Sequence, residues 1–131
     1  MSTTLRRRGF NLEHQAPRTR VLSGTVTITS AGAISAQDSA KFTGATVAKT
    51  GGKSGRYAIT FQRTYKRIIG AGAAMVGPDD SAFPTTTGST PKLRLLTTSG
   101  FSVQFVREDT QADADPASGT TFTWFAMVAW V

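Results

Sequence analysis

Residues Gly119–Val131 have the sequence GTTFTWFAMVAWV, and this stretch decides the fold class. Its first half alternates, with Phe122 and Trp124 on one face of an extended chain and threonines on the other. From Phe125 onward both faces are apolar, unlike an antiparallel strand that has one face in water. We therefore expect a strand whose second face is covered by the N-terminal segment, by a neighbouring loop or by another subunit. At about 43 Å if straight, such a strand should bend or project.

The same alternation recurs in three upstream segments, GTVTITS (Gly24–Ser30), GRYAITFQ (Gly55–Gln62) and GFSVQFVR (Gly100–Arg107). Residues rich in turn formers separate them, and no stretch keeps a helical apolar period for three turns. This pattern predicts an all-β protein, an antiparallel β-sandwich or jelly roll. The predicted core residues are Val26, Ile28, Tyr57, Ile59, Phe61, Val103, Phe105, Phe122 and Trp124.

The glycines of RIIGAGAAMVG (Arg67–Gly77) indicate either a β-bulge or the close approach of another backbone to the strand.

The start of the chain differs in composition from the rest. Residues 1–20 contain five arginines, one glutamate and the only histidine, so they hold +4 of the net charge of +7. They have no apolar period with which to bury a face of their own. We predict an extended basic arm over residues 1–22 and one β-sandwich domain over residues 23–131. The arm should bind an acidic neighbouring subunit through Arg6, Arg7, Arg8, Phe10, Arg18 and Arg20.

The composition argues against catalysis. No cysteine is present, which excludes disulfide frameworks, thiol catalysis and zinc–thiolate sites. The single histidine, His14, lies in the arm, where no second group would hold an imidazole rigidly. No run approaches the roughly 18 apolar residues of a membrane span. We predict a protein that is not an enzyme and that uses no cofactor, metal, small-molecule substrate or membrane.

Two segments resemble ligand-binding loops only superficially. In EDTQADADP (Glu108–Pro116) the acid spacing departs from a calcium loop, and a proline interrupts it. Asp109, Asp113 and Asp115 are therefore predicted to be solvated loop acids. In GGKSG (Gly51–Gly55) the glycine spacing of a phosphate-binding loop is missing, and we expect a hairpin turn.

Nucleic acid is the strongest alternative partner in chemical terms, because the arm's arginines could neutralise phosphates without sequence preference. The aromatic residues that would stack on bases, however, fall on the inward positions of their strands. Four further cations near one strand pair are interpreted as an ordinary solvated surface: Arg56, Arg63, Lys66 and Arg67. Nucleic-acid binding is therefore kept as an alternative only.

Six segments follow one another in an order that carries a resemblance: LRRRGF, GTVTITSAGAIS, SGRYAITFQRTYKRIIGAGAAMVGP, GFSVQFVR, DADPASG and the aromatic-rich C-terminal strand. This layout, which covers most of Gly24–Val131, resembles small virion proteins of tailed bacteriophages. The resemblance implies a capsid decoration, or cement, protein that oligomerises and clamps neighbouring major capsid subunits. It also implies a place at the capsid surface of the virion, after synthesis in the host cytoplasm. It carries over no functional residue, because the layout contains no fixed motif.

The main expectation is therefore a structural homo-oligomer whose partners are its own copies and a major capsid protein. Its oligomer interface should include Phe125, Met127 and Trp130, beside the glycine-rich segment Gly70–Gly77. Two alternatives remain: a tail-fibre or adhesin module that binds host glycans through Phe83 and the loop PTTTGSTP, and a virion protein that binds nucleic acid non-specifically.

Overall fold

The computed structural model describes residues 18–77 and 87–130, and this part of the chain is mostly β-strand. Its eight strands are β1 (Thr19–Ile28), β2 (Ile34–Gln37), β3 (Ala45–Lys49), β4 (Arg56–Phe61), β5 (Arg67–Val76), β6 (Gly88–Thr97), β7 (Gly100–Arg107) and β8 (Thr121–Ala129). A 3-10 turn (Ser30–Gly32) precedes β2, and a one-turn helix, α1 (Ala40–Thr43), follows it.

The strands form two antiparallel four-stranded sheets that pack against each other. Sheet I has the order β2-β1-β8-β5, and sheet II has the order β3-β4-β7-β6. This arrangement confirms the predicted all-β antiparallel sandwich. The jelly-roll connectivity is not confirmed, because the strand pairs β1–β2, β3–β4 and β6–β7 each stay within one sheet.

The core is the one that the alternation predicts. Tyr57, Phe105 and Phe122 form an aromatic triangle whose ring centroids lie 5.2 to 5.7 Å apart. Each buried side chain of this size stabilises the fold by roughly 1.5–3 kcal/mol. All nine predicted core residues are at most 5% exposed and therefore confirmed: Val26, Ile28, Tyr57, Ile59, Phe61, Val103, Phe105, Phe122 and Trp124.

β1 begins before the predicted start of the domain. It pairs with β8 from Thr19, which lies opposite Ala129. Leu22, which the sequence analysis assigned to the arm, is buried in the core. Arg20 and Gly24, the next residues on the same side of the strand as Leu22, are not apolar, and this concealed the alternation. The predicted boundary between residues 22 and 23 is therefore wrong, because residues 19–22 belong to β1 of the domain. Residues 1–17 lie outside the described part of the chain.

The structure also refines two predictions: the length of the C-terminal strand and the irregularity of the glycine-rich strand at the edge of sheet I. β8 spans Thr121–Ala129 and is shorter than the stretch expected to be extended. In β5 the pairing with β8 shifts between Ile68 and Gly70, so the bulge predicted for the glycine-rich segment is present. Val131 lies outside the described residues.

Both open sides of the sandwich are closed by contacts between the sheets. On one side the Gln37 side chain bonds both backbone groups of Val47: its Nε2 donates to the carbonyl oxygen at 2.8 Å, and its Oε1 accepts from the amide at 2.9 Å. This side-chain amide replaces a strand partner for the edge strand β3. On the other side β5 lies directly against β6.

Gly55 lies where the β3–β4 hairpin meets the loop that follows β7. Its amide donates to Asp115 Oδ1 at 2.7 Å, and its carbonyl accepts from the Phe105 amide at 2.7 Å. Its φ is +70°, and a Cβ built there would lie 2.4 Å from the Ala114 carbonyl oxygen. The position therefore requires glycine for both its conformation and its space.

Replacement of Gly55 by alanine tests this close approach, and Gly52 provides a matched control. Gly52 has a φ of +71° but nothing within 4 Å of a built Cβ. Gly52→Ala should cost about 1 kcal/mol of folding free energy, from backbone conformation alone. Gly55→Ala should cost about 3 kcal/mol or more, because backbone oxygens must move apart. Urea denaturation measures both, and equal losses would contradict the packing argument.

Candidate functional site

The outward residues of β1, β8 and β5 form regular rows across sheet I. Residues that pair directly between neighbouring strands point to the same side of a sheet, so the register defines each row. We call this surface the outer face of sheet I. Its rows are Val21–Met127–Gly70, Ser23–Phe125–Gly72, Thr25–Thr123–Ala74 and Thr27–Thr121–Val76. None of these twelve residues is charged.

The middle of this face is apolar and open. Phe125 lies over Gly72: a Cβ built on that glycine would be 2.3 Å from the Phe125 ring. The ring fits because glycine has no side chain. The sequence predicted the approach of another backbone as one alternative, whereas the group that approaches Gly72 is a side chain. Phe125 is nevertheless 47% exposed, and its neighbours Met127 and Val21 are 39% and 60% exposed. The described residues thus leave these three apolar side chains uncovered.

The structure separates the predicted interface residues. Phe125 and Met127 lie together on the outer face of sheet I, beside Gly70 and Gly72. Trp130 has the opposite orientation and packs against the core, with its ring centroid 6.4 Å from that of Tyr65. Sequence reasoning missed Val21, because it lay within the predicted arm. The continued alternation of Leu22 with the later inward residues of β1 was the signal that could have found it.

The acids after β7 are paired rather than simply solvated, which corrects the sequence expectation. Asp115 accepts from Lys49 Nζ at 2.9 Å as well as from the Gly55 amide. Asp113 pairs with Arg56 Nη2 at 3.2 Å and accepts from the Gln104 side chain. Asp109 pairs with Arg107, whose hydrogen bonds hold the pKa of that carboxyl below its usual value. No group of three or more potential metal ligands occurs among the residues described.

Tyr57 is the buried titratable group nearest to this loop. Its hydroxyl donates to the Gly32 carbonyl at 2.6 Å. Burial raises the pKa of Tyr57 well above its usual value, and the charge of Asp115 raises it further. The hydroxyl therefore stays protonated at neutral pH and serves as a structural donor.

The second notable surface is one end of the sandwich, where β1 and β5 begin. The two arm arginines within the described residues, Arg18 and Arg20, are exposed here. Arg56 lies elsewhere, because it begins β4, whereas Arg63 follows the end of that strand. The four cations assigned to one surface thus divide between two places. We call the cations of this end the basic end: Arg18, Arg20, Lys41, Arg63, Lys66 and Arg67.

Several sequence predictions fall on residues outside the described part of the chain. These are the arm residues Arg6, Arg7, Arg8 and Phe10, the histidine His14, and, for the glycan-binding alternative, Phe83 with the first three residues of PTTTGSTP. The last four residues of that predicted loop, 88–91, belong to β6 instead. The GGKSG segment is described and joins β3 to β4, as expected of a hairpin turn. Within residues 18–77 and 87–130, the helices are too short to span a bilayer.

Comparison of the chain with protein-family models, with curated proteins and with solved structures gives no significant match.

The raised pKa of Tyr57 predicts a loss of stability at high pH. Below about pH 10 tyrosine is protonated in both folded and unfolded chains, so its contribution is complete. Above that pH the unfolded chain ionises first, and stability falls by about 1.4 kcal/mol per pH unit from this group. Urea unfolding of the wild type and of Tyr57→Phe between pH 9 and pH 11 measures this slope. An identical slope in the two proteins would contradict the assignment to Tyr57.

Proposed function

We propose that this chain is a structural protein of a phage particle, a capsid decoration protein that associates with its own copies and stabilises the major capsid protein shell. The observation that carries the proposal is the set of twelve uncharged positions on the outer face of sheet I, with Phe125 and Met127 exposed on its central strand β8. An exposed apolar group of this kind on a folded domain marks an interaction surface. Its occupant on this proposal is a second copy of the chain.

Charge favours a second copy at this face. The chain carries a net charge of +7, so two copies repel each other over most of their surfaces. The twelve positions of the outer face are neutral, and the face can meet itself without placing like charges together. Symmetric dimers use the same patch on both subunits, which requires a self-complementary surface of this type.

The strand edges offer no equally good contact. Gln37 already occupies the backbone groups of Val47 on β3, and β5 lies against β6 on the other side. Addition of a strand from another copy would have to displace these contacts. Association through the face of sheet I requires no such rearrangement.

The place on a virion rests on the layout of the sequence. The order of a basic segment, the strands around GRYAITFQ and GFSVQFVR, the DADPASG turn and an aromatic final strand resembles small virion proteins of tailed phages. The arm, with Arg6, Arg7 and Arg8, joins the domain at Arg18 and is proposed to bind an acidic part of the major capsid protein.

A charge placed in the middle of the face tests self-association. Met127→Glu should weaken association about tenfold or more, because each copy would bury an unpaired carboxylate against the other. Thr60→Glu is the matched control: it lies on the exposed side of a central strand of sheet II. Sedimentation equilibrium over a wide concentration range measures both. A wild-type protein that stays monomeric throughout, or a Met127→Glu protein that associates normally, would refute the proposed interface.

Particles assembled from the phage genome without this gene test the decoration function. They should release DNA at a lower temperature than complete particles, because the shell lacks its clamp. Addition of the purified chain should restore the release temperature, measured with a DNA-binding dye during heating. Absence of the chain from purified complete particles would rule the function out.

A further inference from the structure

We propose that the basic end of the folded domain is itself a docking surface for an acidic protein surface. This inference rests on the proposed function, because the shell supplies the partner. It goes further in assigning attachment to domain residues outside the arm, chiefly Arg63, Lys66 and Arg67, with Phe42 as an apolar anchor.

Backbone contacts bring the cations of the basic end together from four segments. Arg67 and Thr19 both pair with Ala129, so β1 and β5 begin side by side across β8. The Lys66 amide donates to the Ala129 carbonyl at 2.9 Å, and the Trp130 amide donates to the Arg18 carbonyl at 3.2 Å.

The β4–β5 connection and α1 complete this end. The Gln62 amide donates to the Gly44 carbonyl at 2.9 Å, which places Arg63 close to the end of α1. A Cβ built on Gly44 would lie 4.0 Å from Arg20 Nη2. The Arg63 guanidinium lies 5.7 Å from the centroid of the buried Tyr65 ring, so the aromatic face restrains it before any partner binds.

The charge of this end is uncompensated within the described residues. None of its six cations forms an ion pair there, whereas Lys49, Arg56 and Arg107 each pair with an acid at the opposite end. Four of the five described acids follow β7 at that opposite end. The fifth, Asp38, accepts from the Thr25 amide, well away from the start of β1. The domain is therefore electrically polarised along its strands.

The neighbours of the basic end favour a protein partner over nucleic acid. Phe42 on α1 is 81% exposed, directly beside Lys41. Val21 and Met127 of the outer face lie in the row next to Thr19, Ala129 and Arg67. Arginine, aromatic residues and methionine are the types enriched at protein–protein interfaces. Contacts to a phosphate backbone come from cations and small polar groups instead.

The test uses the full chain, fluorescently labelled, and particles assembled from the phage genome without its gene. Arg63→Glu/Lys66→Glu changes two exposed residues of the basic end. Lys53→Glu/Lys92→Glu changes the net charge equally at exposed positions outside it. Binding to the particles at 150 mM NaCl should weaken about tenfold or more in the first variant and change little in the second. Thermal melting and sedimentation confirm that both variants fold and self-associate like the wild type.

The outcomes separate this inference from the proposed function. If the wild type does not bind the particles, the decoration function itself fails, and the inference falls with it. If the wild type binds and both double variants bind alike, decoration stands and the basic end is not the docking surface. If nuclease treatment of the particles abolishes binding, the partner is nucleic acid and the inference is overturned.

Phe42→Ala should weaken binding to the particles severalfold without changing the melting temperature. Unchanged binding would show that Phe42 is not an apolar anchor of the docking surface.

Discussion

The pairing of β1 with β8 is the constraint on which the other features of the structure depend. Nine residue pairs, from Thr19–Ala129 to Thr27–Thr121, join the first described strand to the last. The inward side of this pair supplies much of the aromatic and aliphatic core, and its outward side supplies two thirds of the neutral face. Because β5 keeps its own pairing with β8, the three strands hold their outward residues in rows. The same pairing places Arg18 at the basic end.

The unpaired cations and the exposed apolar side chains of the outer face lie on different parts of the surface, so the two proposed contacts use different residues. The ion pairs at the end opposite the basic end are partly exposed, so they add little to stability. Their larger effect is to neutralise that end, since Lys49, Arg56 and Arg107 face Asp115, Asp113 and Asp109. The basic end lacks such pairs among the described residues. On the two proposals above, the molecule would meet its own copies through the neutral face and an acidic partner through the cationic end.

The alternation of apolar residues was sufficient to predict the sandwich and its core, because each strand has one buried and one exposed side. It was not sufficient around Leu22, because Arg20 and Gly24, the next residues on the same side of β1, are not apolar. It also missed the pairing of Asp113 with Arg56 and of Asp115 with Lys49, because those contacts join segments that are distant in the sequence. The rows of the outer face depend on register between strands, so the sequence indicated that Phe125 faces outward but not that it covers Gly72.

The size of the outer face explains why a second contact is needed. Three strands and four rows span roughly 14 by 26 Å, well under the roughly 800 Å² that each partner of a stable complex typically buries. Seven of the twelve positions are threonine, serine or glycine, and only Val21, Phe125 and Met127 form the apolar cluster, so contact between faces is weak on its own and needs a high protein concentration in solution. On the proposed function, a copy held to the shell by its basic end would meet its neighbour at a high effective concentration, at which a weak contact is sufficient. The cationic end would then attach the domain, and the neutral face would join domains that are already attached.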